Sequence, residues 1–181
     1  MNITRLTPEG FAAAVPALAG LLVDAVAGGA SVGFLAGFDH AEATAWWRSR
    51  AAAVADGSLV VWIAAGPAGA CGTISLAYAE KPNARHRAEV LKLAVHREAR
   101  GRGLGRRLLA AAERAAAEAG ATLLLLDTET ASAAERLYES AGWVRYGVVP
   151  DYAAGPEGVL KDCSFFYKRT AKRCNPVGGP T

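Results

Sequence analysis

The stretch from Arg97 to Leu109, REARGRGLGRRLL, limits what this chain can fold into more than any other. In front of it, Ala88 to Val95 is apolar and mostly alternating, the pattern of a strand. Behind it, Leu104 to about Ala119 is rich in Leu, Ala, Glu and Arg and holds no proline, which predicts a helix. A strand that passes through spaced glycines into a helix presents backbone N–H groups at the positive end of the helix dipole. The glycines carry no Cβ to block approach. The result is an anion site that a pyrophosphate would fit.

Spacing narrows the choice of anion. A nucleotide P-loop needs G-x-x-x-x-G-K-[ST], and neither Lys-Ser nor Lys-Thr follows these glycines. A dinucleotide fingerprint needs glycine three positions after Gly103, where Arg106 stands; counted from Gly105, it meets Leu108. What remains is Arg100-x-x-Gly103-x-Gly105. This resembles the R/Q-x-x-G-x-G/A signature of the GNAT (acyl-CoA N-acyltransferase) superfamily, whose members hold the pyrophosphate of acetyl-CoA there. Two plainer readings compete, a solvated basic helix start and a non-specific nucleic-acid patch, since five arginines lie between Arg97 and Arg107. The net charge of +3 is too small, and the arginines too local, to argue for a nucleic-acid partner.

A length of 181 residues suits one domain with a real core, expected over 1–169, followed by a flexible tail over 170–181. The three cysteines, Cys71, Cys163 and Cys174, form no C-x-x-C pair. They fit reduced thiols in a cytoplasmic protein better than a disulfide frame or a metal site, and no metal is expected. Phe11 to Val23 is apolar and Ala25-Val26-Ala27 imitates a signal-peptidase site, but Glu9, Pro16 and Asp24 spoil the pattern. No stretch reads as a membrane span, and no membrane partner is expected.

In chain order, Ile3 to Leu6 is a strand, and Thr7-Pro8 starts a helix with Thr7 as N-cap. That helix runs to about Ala27, kinked or restarted at Pro16. Gly29 to Phe38 is an apolar, glycine-punctuated loop whose partner is its own core, a substrate or a second subunit. Asp39 caps a helix to about Asp56. Leu59 to Ala65 and Ala70 to Ala79 form a hairpin. Thr122 to Leu126 is a strand buried on both faces, ended by Asp127. Ser132 to Glu135 is a capping box opening a short helix closed by Gly142. Val144 to Val149 and Cys163 to Tyr167 are the last strands, joined by a loop over 150–162. The order predicts an α/β fold, a mixed sheet of about seven strands with about four helices and a central parallel pair that splays apart.

This order is the GNAT order, so the resemblance covers nearly the whole chain. Several blocks are also similar to the tabtoxin-resistance acetyltransferases of that superfamily. They are residues 28–34, 87–90, 99–106 and 126–129, continuing through Asp151-Tyr152 to Phe166-Tyr167-Lys168. The resemblance implies acetyl-CoA as donor and a small amine as acceptor, with a β-lactam antimetabolite such as tabtoxinine-β-lactam as one case. A protein N-terminal or lysine acetyltransferase, or a non-catalytic acyl-CoA sensor, stays open beside it, as does a monomer or a homodimer.

By resemblance, the pantetheine arm pairs with Leu93, Ala94 and Val95. The diphosphate rests on the N–H groups of Arg100, Gly101, Arg102, Gly103, Leu104, Gly105 and Arg106, with the arginines adding charge. Side-chain identity at Arg102 and Leu104 should then matter little. Glu89 and Asp127 are the candidates to take the amine proton, through water. A backbone N–H near Ala94 would face the oxyanion. Tyr138, in Leu137-Tyr138-x-x-x-Gly142-Trp143, would donate to the leaving thiolate, although a stripe of Ala134, Leu137, Tyr138 and Ala141 would also explain it by packing. Many members carry Asn seven residues before that tyrosine; here Ala131 stands there, leaving the contact to Ser132, whose other duty is the N-cap. Ser31, Phe34, Asn83, Asp151 and Tyr152 would surround the acceptor.

Overall fold

One strand, Leu59–Gly66, shows how the chain divides its core. Its residues alternate between faces. Val60, Trp62 and Ala64 join one buried cluster, while Leu59 and Val61, with Ile63 packed against them, join the other. A sheet buried on both faces must carry helices on both. The computed structural model describes residues 1–67 and 69–170, and the remainder of the expected tail lies outside the described residues.

The elements run β1 (Asn2–Arg5), α1 (Pro8–Ala27), α2 (His40–Arg48), α3 (Ala51–Ala55), β2 (Leu59–Gly66), β3 (Gly69–Tyr78), β4 (Arg87–Val95), α4 (Leu104–Glu118), β5 (Leu123–Glu129), α5 (Ala133–Ser140), β6 (Val144–Ala154) and β7 (Leu160–Arg169). The strands form one sheet in the order β1-β2-β3-β4-β5-β7-β6. Only β4 and β5 pair in parallel; the other neighbours are antiparallel. On one face α4 buries Leu104, Leu108, Leu109, Ala112 and Ala116 against Ile74, Leu76, Val90 and Leu124. On the other, Phe11, Val15, Leu18 and Leu22 of α1 meet Trp47 of α2.

The expected caps form. Thr7 accepts the Gly10 N–H at 3.1 Å, and Asp39 and Glu42 cap each other's backbone. Several boundaries differ from the sequence reading. The helix expected from Asp39 to about Asp56 is broken at Ser49, whose hydroxyl turns back to the Trp46 carbonyl at 2.7 Å, so the described residues hold five α-helices where about four are expected. Pro16 does not restart α1, which is continuous. By length and a mean hydropathy of 1.9 that helix could cross a membrane, contrary to the sequence reading, yet eight of its residues are buried in this fold.

The loop expected over 150–162 is mostly strand. β6 continues to Ala154 and β7 begins at Leu160, with a register shift between Val149 and Ala153 that takes up Pro150 and Asp151. The apolar loop at 29–38 finds its partner in the core: Phe34 stacks on Phe38 at 3.9 Å and meets the Trp46 ring at 5.6 Å.

Pro16 tests the helix reading directly. It removes one N–H from the interior of α1 and crowds the carbonyl four residues earlier, on an exposed face where nothing repays the loss. Pro16→Ala should raise stability by about 1–3 kcal/mol in a denaturant titration. An unchanged or lower midpoint would show that the proline is accommodated without cost.

Candidate active site

The parallel pair is short. Arg87, Ala88 and Glu89 pair with Leu123, Leu124 and Leu125, and there the pairing stops. On its other side β4 gains a residue relative to β3: Ser75 pairs with Leu91 and Thr73 with Ala94, so Lys92 and Leu93 together face Ile74. Lys92 takes a φ of +50° in this bulge. Beyond it β4 and β5 part around a crevice of about 840 Å³. Ala94 pairs with Thr73, and the His96 N–H bonds the Cys71 carbonyl. In an antiparallel ladder that phase turns the Ala94 N–H toward β3. Val95 faces the other way, its carbonyl accepting from Arg100 Nε at 3.0 Å. The N–H expected near Ala94 is therefore not that of Ala94 itself.

The glycine turn lies at the open end of the crevice. Gly101 and Gly103 have φ of +74° and +71°, and nothing stands within 4 Å of where a Cβ would project. These two glycines leave open room over the N-terminus of the 15-residue α4, which suits a diphosphate. Gly105 does something else: a Cβ there would meet Leu137 Cδ2 at 3.2 Å, so this glycine lets α4 and α5 approach. The Leu104 side chain is buried in the core, so its identity matters to packing, contrary to the sequence reading.

Most of the arginines are tied to protein. The Arg97 backbone N–H and Nε both donate to the Asp24 carboxylate, with His96 Nε2 at 3.6 Å from it. Arg106 donates to the Ser140 carbonyl and hydroxyl, and Arg107 to the Met1 carbonyl. Arg106 thus joins α4 to α5, and because both acceptors are neutral its charge stays beside the turn. Burial alone would lift the Asp24 pKa, but its bonds to Arg97 outweigh it and hold it below the usual range. The turn is clamped to the end of α1.

Glu89 stands at the fork, on the last paired position of β4. It is exposed by area, yet its surroundings withdraw enough water to raise its pKa; the Asp127 charge adds to this and Lys92 opposes it. Asp127, on β5, lines the crevice and accepts from the Cys163 thiol at 3.3 Å. Burial first, then the Asp127 charge, pushes that thiol up to about 12. Tyr138 is buried beside Trp143 and Phe166, with ring centroids at 6.0 and 6.2 Å, and still lines the crevice. Burial, reinforced by Asp127, raises its phenol further above the ordinary value. Packing and crevice lining thus coexist in this one residue.

Ser132 lines the crevice and is also the N-cap of α5, accepting the Glu135 N–H at 3.1 Å. The capping box is half formed: the buried Glu135 carboxylate turns instead to the Ala131 N–H and to Arg145 at 3.1 Å. Of the residues expected around the acceptor, Ser31 and Tyr152 line the crevice. Phe34 lines an adjoining hollow of about 630 Å³. Asn83 does not belong here; it is exposed in a single 3-10 turn before β4 and lines neither space. Asp151 also lines neither, its backbone N–H being bonded to Asp162 Oδ1 at 3.1 Å. Lys92 and Cys163 are among the crevice residues for which the sequence reading has no role. Lys92 could have been found as the one charge in the apolar run from Val90 to Val95; Cys163 left no signal. Among the described residues no group of three or more His, Cys, Asp or Glu is placed to hold a metal.

Ala131 is held at φ +62° between β5 and α5. Left-handed backbone suits Asn better than Ala. Ala131→Asn should therefore stabilise the fold by about 0.5–1 kcal/mol, seen as a higher melting temperature. A lower one would mean that the added side chain clashes with the α5 entry.

Comparison with known proteins agrees with this geometry. A family model described as an acetyltransferase (GNAT) domain matches residues 55–145, from before β2 to the start of β6. The ribosomal-protein-alanine N-acetyltransferase from Brucella melitensis is similar at 26% identity, over 93% of this chain and 99% of its own, with a TM-score of 0.75. The protein yncA from Salmonella typhimurium, solved with its cofactor acetyl-CoA, superposes with a TM-score of 0.72 at 20% identity, over 100% of this chain and 99% of its own. A structure described as a candidate phosphinothricin N-acetyltransferase gives 0.73 at 20% identity, covering 94% and 100%. With the splayed parallel pair, the glycine turn and the matched domain in agreement, the chain belongs to the GNAT family of acetyl-CoA-dependent N-acetyltransferases.

Proposed function

We propose that the protein moves the acetyl group of acetyl-CoA to the amine of a small molecule. The observation that carries the small-acceptor reading is the closure of the acceptor end. The Ala36 N–H bonds the Pro156 carbonyl at 2.8 Å, joining the loop at 29–38 to the tip of the β6–β7 hairpin. Lys92 Nζ donates to the Val32 carbonyl at 2.7 Å and holds the same loop to β4. A site closed on two sides suits a compact acceptor better than a peptide laid through an open groove. The blocks shared with tabtoxin-resistance acetyltransferases favour an antimetabolite amine such as tabtoxinine-β-lactam, and so a role in resistance. The free thiols of Cys71 and Cys163 favour the cytoplasm.

When bound, acetyl-CoA supplies the acetyl group as a thioester: its C–S bond breaks as the C–N bond forms, the ammonium gives up one proton through water to become nucleophilic and a second as the amide forms, and the leaving thiolate takes one proton from solvent. The chain's residues divide the remaining work. Gly101, Gly103 and the start of α4 receive the diphosphate, and the unpaired edge of β4 at Leu93 and Val95 receives the pantetheine, with Ser132 opposite. Glu89 takes the amine proton through water, its raised proton affinity bringing it closer to the amine. Asp127 draws in and orients the ammonium. Tyr138 keeps its proton and hydrogen-bonds to the developing sulfur charge.

A second reading, transfer to a protein N-terminus, is favoured by the likeness to the Brucella enzyme. Thiol release from acetyl-CoA over matched panels of small amines and peptides separates the two; turnover confined to peptides would discard the small acceptor. No thiol release with any amine or peptide, despite acetyl-CoA binding, would leave the acyl-CoA sensor.

Tyr138→Phe should keep acetyl-CoA affinity and lower turnover by ~10²-fold or more. Wild-type turnover would reduce Tyr138 to packing. Glu89→Gln should lose ~10²-fold in rate together with the low-pH limb of the rate profile over about pH 5 to 10, because that limb reports loss of the ionised base. The same shift has a sign in stability. A carboxyl raised by folding favours the fold below its unfolded pKa, and that contribution is lost as pH rises through the raised value. At neutral pH the Gln variant should melt slightly above the wild type, with the gap closing in acid. A lower melting temperature at neutral pH would show that the ionised carboxylate supports the fold.

A further inference from the structure

Lys92 ties the loop at 29–38 to β4, and that tie leaves its charge unanswered. It stands in the β4 bulge and lines the crevice. Its ammonium gives one N–H to the Val32 carbonyl and lies 5.4 Å from the Phe34 ring and 5.2 Å from the Trp46 ring. No carboxylate comes within 4.0 Å of it among the described residues, where the ion pairs are those of Asp24, Glu135 and Glu113. Glu89 and Asp127 are near enough to act through space without touching it. Burial pulls its pKa below the ordinary amine value; Asp127 and Glu89 oppose this, while Arg50, 5.0 Å from the Trp46 ring centroid, adds to it.

A lysine ammonium has three donors, and the Val32 bond uses one. A partly desolvated ammonium with spare donors and no ion partner gains from a ligand anion. Asp127 lines the same crevice and Glu89 stands at the fork where it opens, two carboxylates that suit an amine. A plain diamine would meet Lys92 as a like charge; a molecule with both an amine and a carboxylate would satisfy both sides. Lys161, the other ammonium on the crevice wall, is exposed and keeps its water.

We propose that Lys92 is a specificity-determining residue that binds a carboxylate carried by the acceptor, so that the acceptor is an amino acid rather than a simple amine. This rests on the acetyltransferase reading. The competing account is a clasp, in which Lys92 only ties the loop at 29–38 to β4.

The test is thiol release from acetyl-CoA with each common α-amino acid and its carboxamide, and with carboxylate-free alkylamines and diamines. The wild type should prefer acids to their carboxamides by ~10- to 100-fold in kcat/KM, the scale of a charged hydrogen bond. Lys92→Met should lower kcat/KM for the acid by about that factor beyond the loss it causes on the carboxamide through the untied loop, and so erase the preference; Lys92→Arg should restore part of it. Equal loss on acid and carboxamide would identify a clasp and overturn the proposal. So would a preference that survives in Lys92→Met, or a wild type that uses only carboxylate-free amines. The wild-type preference needs no variant, so a misfolded Lys92→Met does not shield the idea. Failure of the acetyltransferase reading looks different: no thiol release with any amine in the panel, which overturns both.

Discussion

The chemistry of this molecule depends on a pairing that stops. β4 and β5 are joined at three positions and then separate, while each stays anchored on its outer side. β5 keeps a seven-residue register with β7, and β4 regains its ladder with β3 at Thr73 and Gly72. The extra residue at Lys92–Leu93 explains how one strand can leave one neighbour and keep the other, since a bulge bends the strand that carries it. Strand backbone that faces a gap must find partners somewhere. Arg100 supplies one for Val95. The rest is an edge ready for an extended ligand arm, held open by two halves of a sheet rather than by a flexible loop.

The glycine turn is rigid for a related reason. An anion site built from backbone N–H groups works only if those groups already point at the ligand. Asp24, at the end of α1, takes both the backbone and the side chain of Arg97, while Arg106 and Arg107 fasten the first turn of α4 to α5 and to the N-terminus. The arginine cluster is therefore a set of struts around the turn. Arg97 meets a carboxylate, whereas Arg100, Arg106 and Arg107 bond neutral acceptors and keep their charge beside the anion site.

How much of this the sequence disclosed follows from whether each signal was local. The glycine turn, the Thr7 and Asp39 caps and the β2–β3 hairpin are written in neighbouring residues, and all formed. The destinations of the arginines were hidden, because Arg97 meets Asp24 and Arg106 meets Ser140 only after helices pack. The β6–β7 arm was missed because Pro150 and Gly155 speak locally for a loop; a bulge absorbed the proline, and the glycine falls just past the strand. Asn83 was placed near the acceptor by resemblance alone, and the turn after β3 carries it elsewhere. Lys92 was visible as a charge in an apolar run, but its meaning needed the loop at 29–38 folded onto it.

Glu89 and Asp127 are both candidate bases in the sequence, where Asp127 already differs in ending a buried strand, and their surroundings differ further. Cys163 donates to one oxygen of Asp127 and keeps its own proton, with a pKa pushed up to about 12. A thiol held protonated is a poor nucleophile. Although Cys163 lines the crevice, it is ill suited to carry an acetyl group, and direct transfer to the amine is the economical route. The same bond leaves Asp127 partly engaged and fixed in direction, which suits a group that attracts and orients an ammonium. Among the described residues no hydrogen bond tethers the Glu89 carboxylate; it is open to water and binds a proton more readily than an ordinary carboxylate. A base working through water needs those properties together: access to solvent, and a proton affinity raised toward that of the amine it serves.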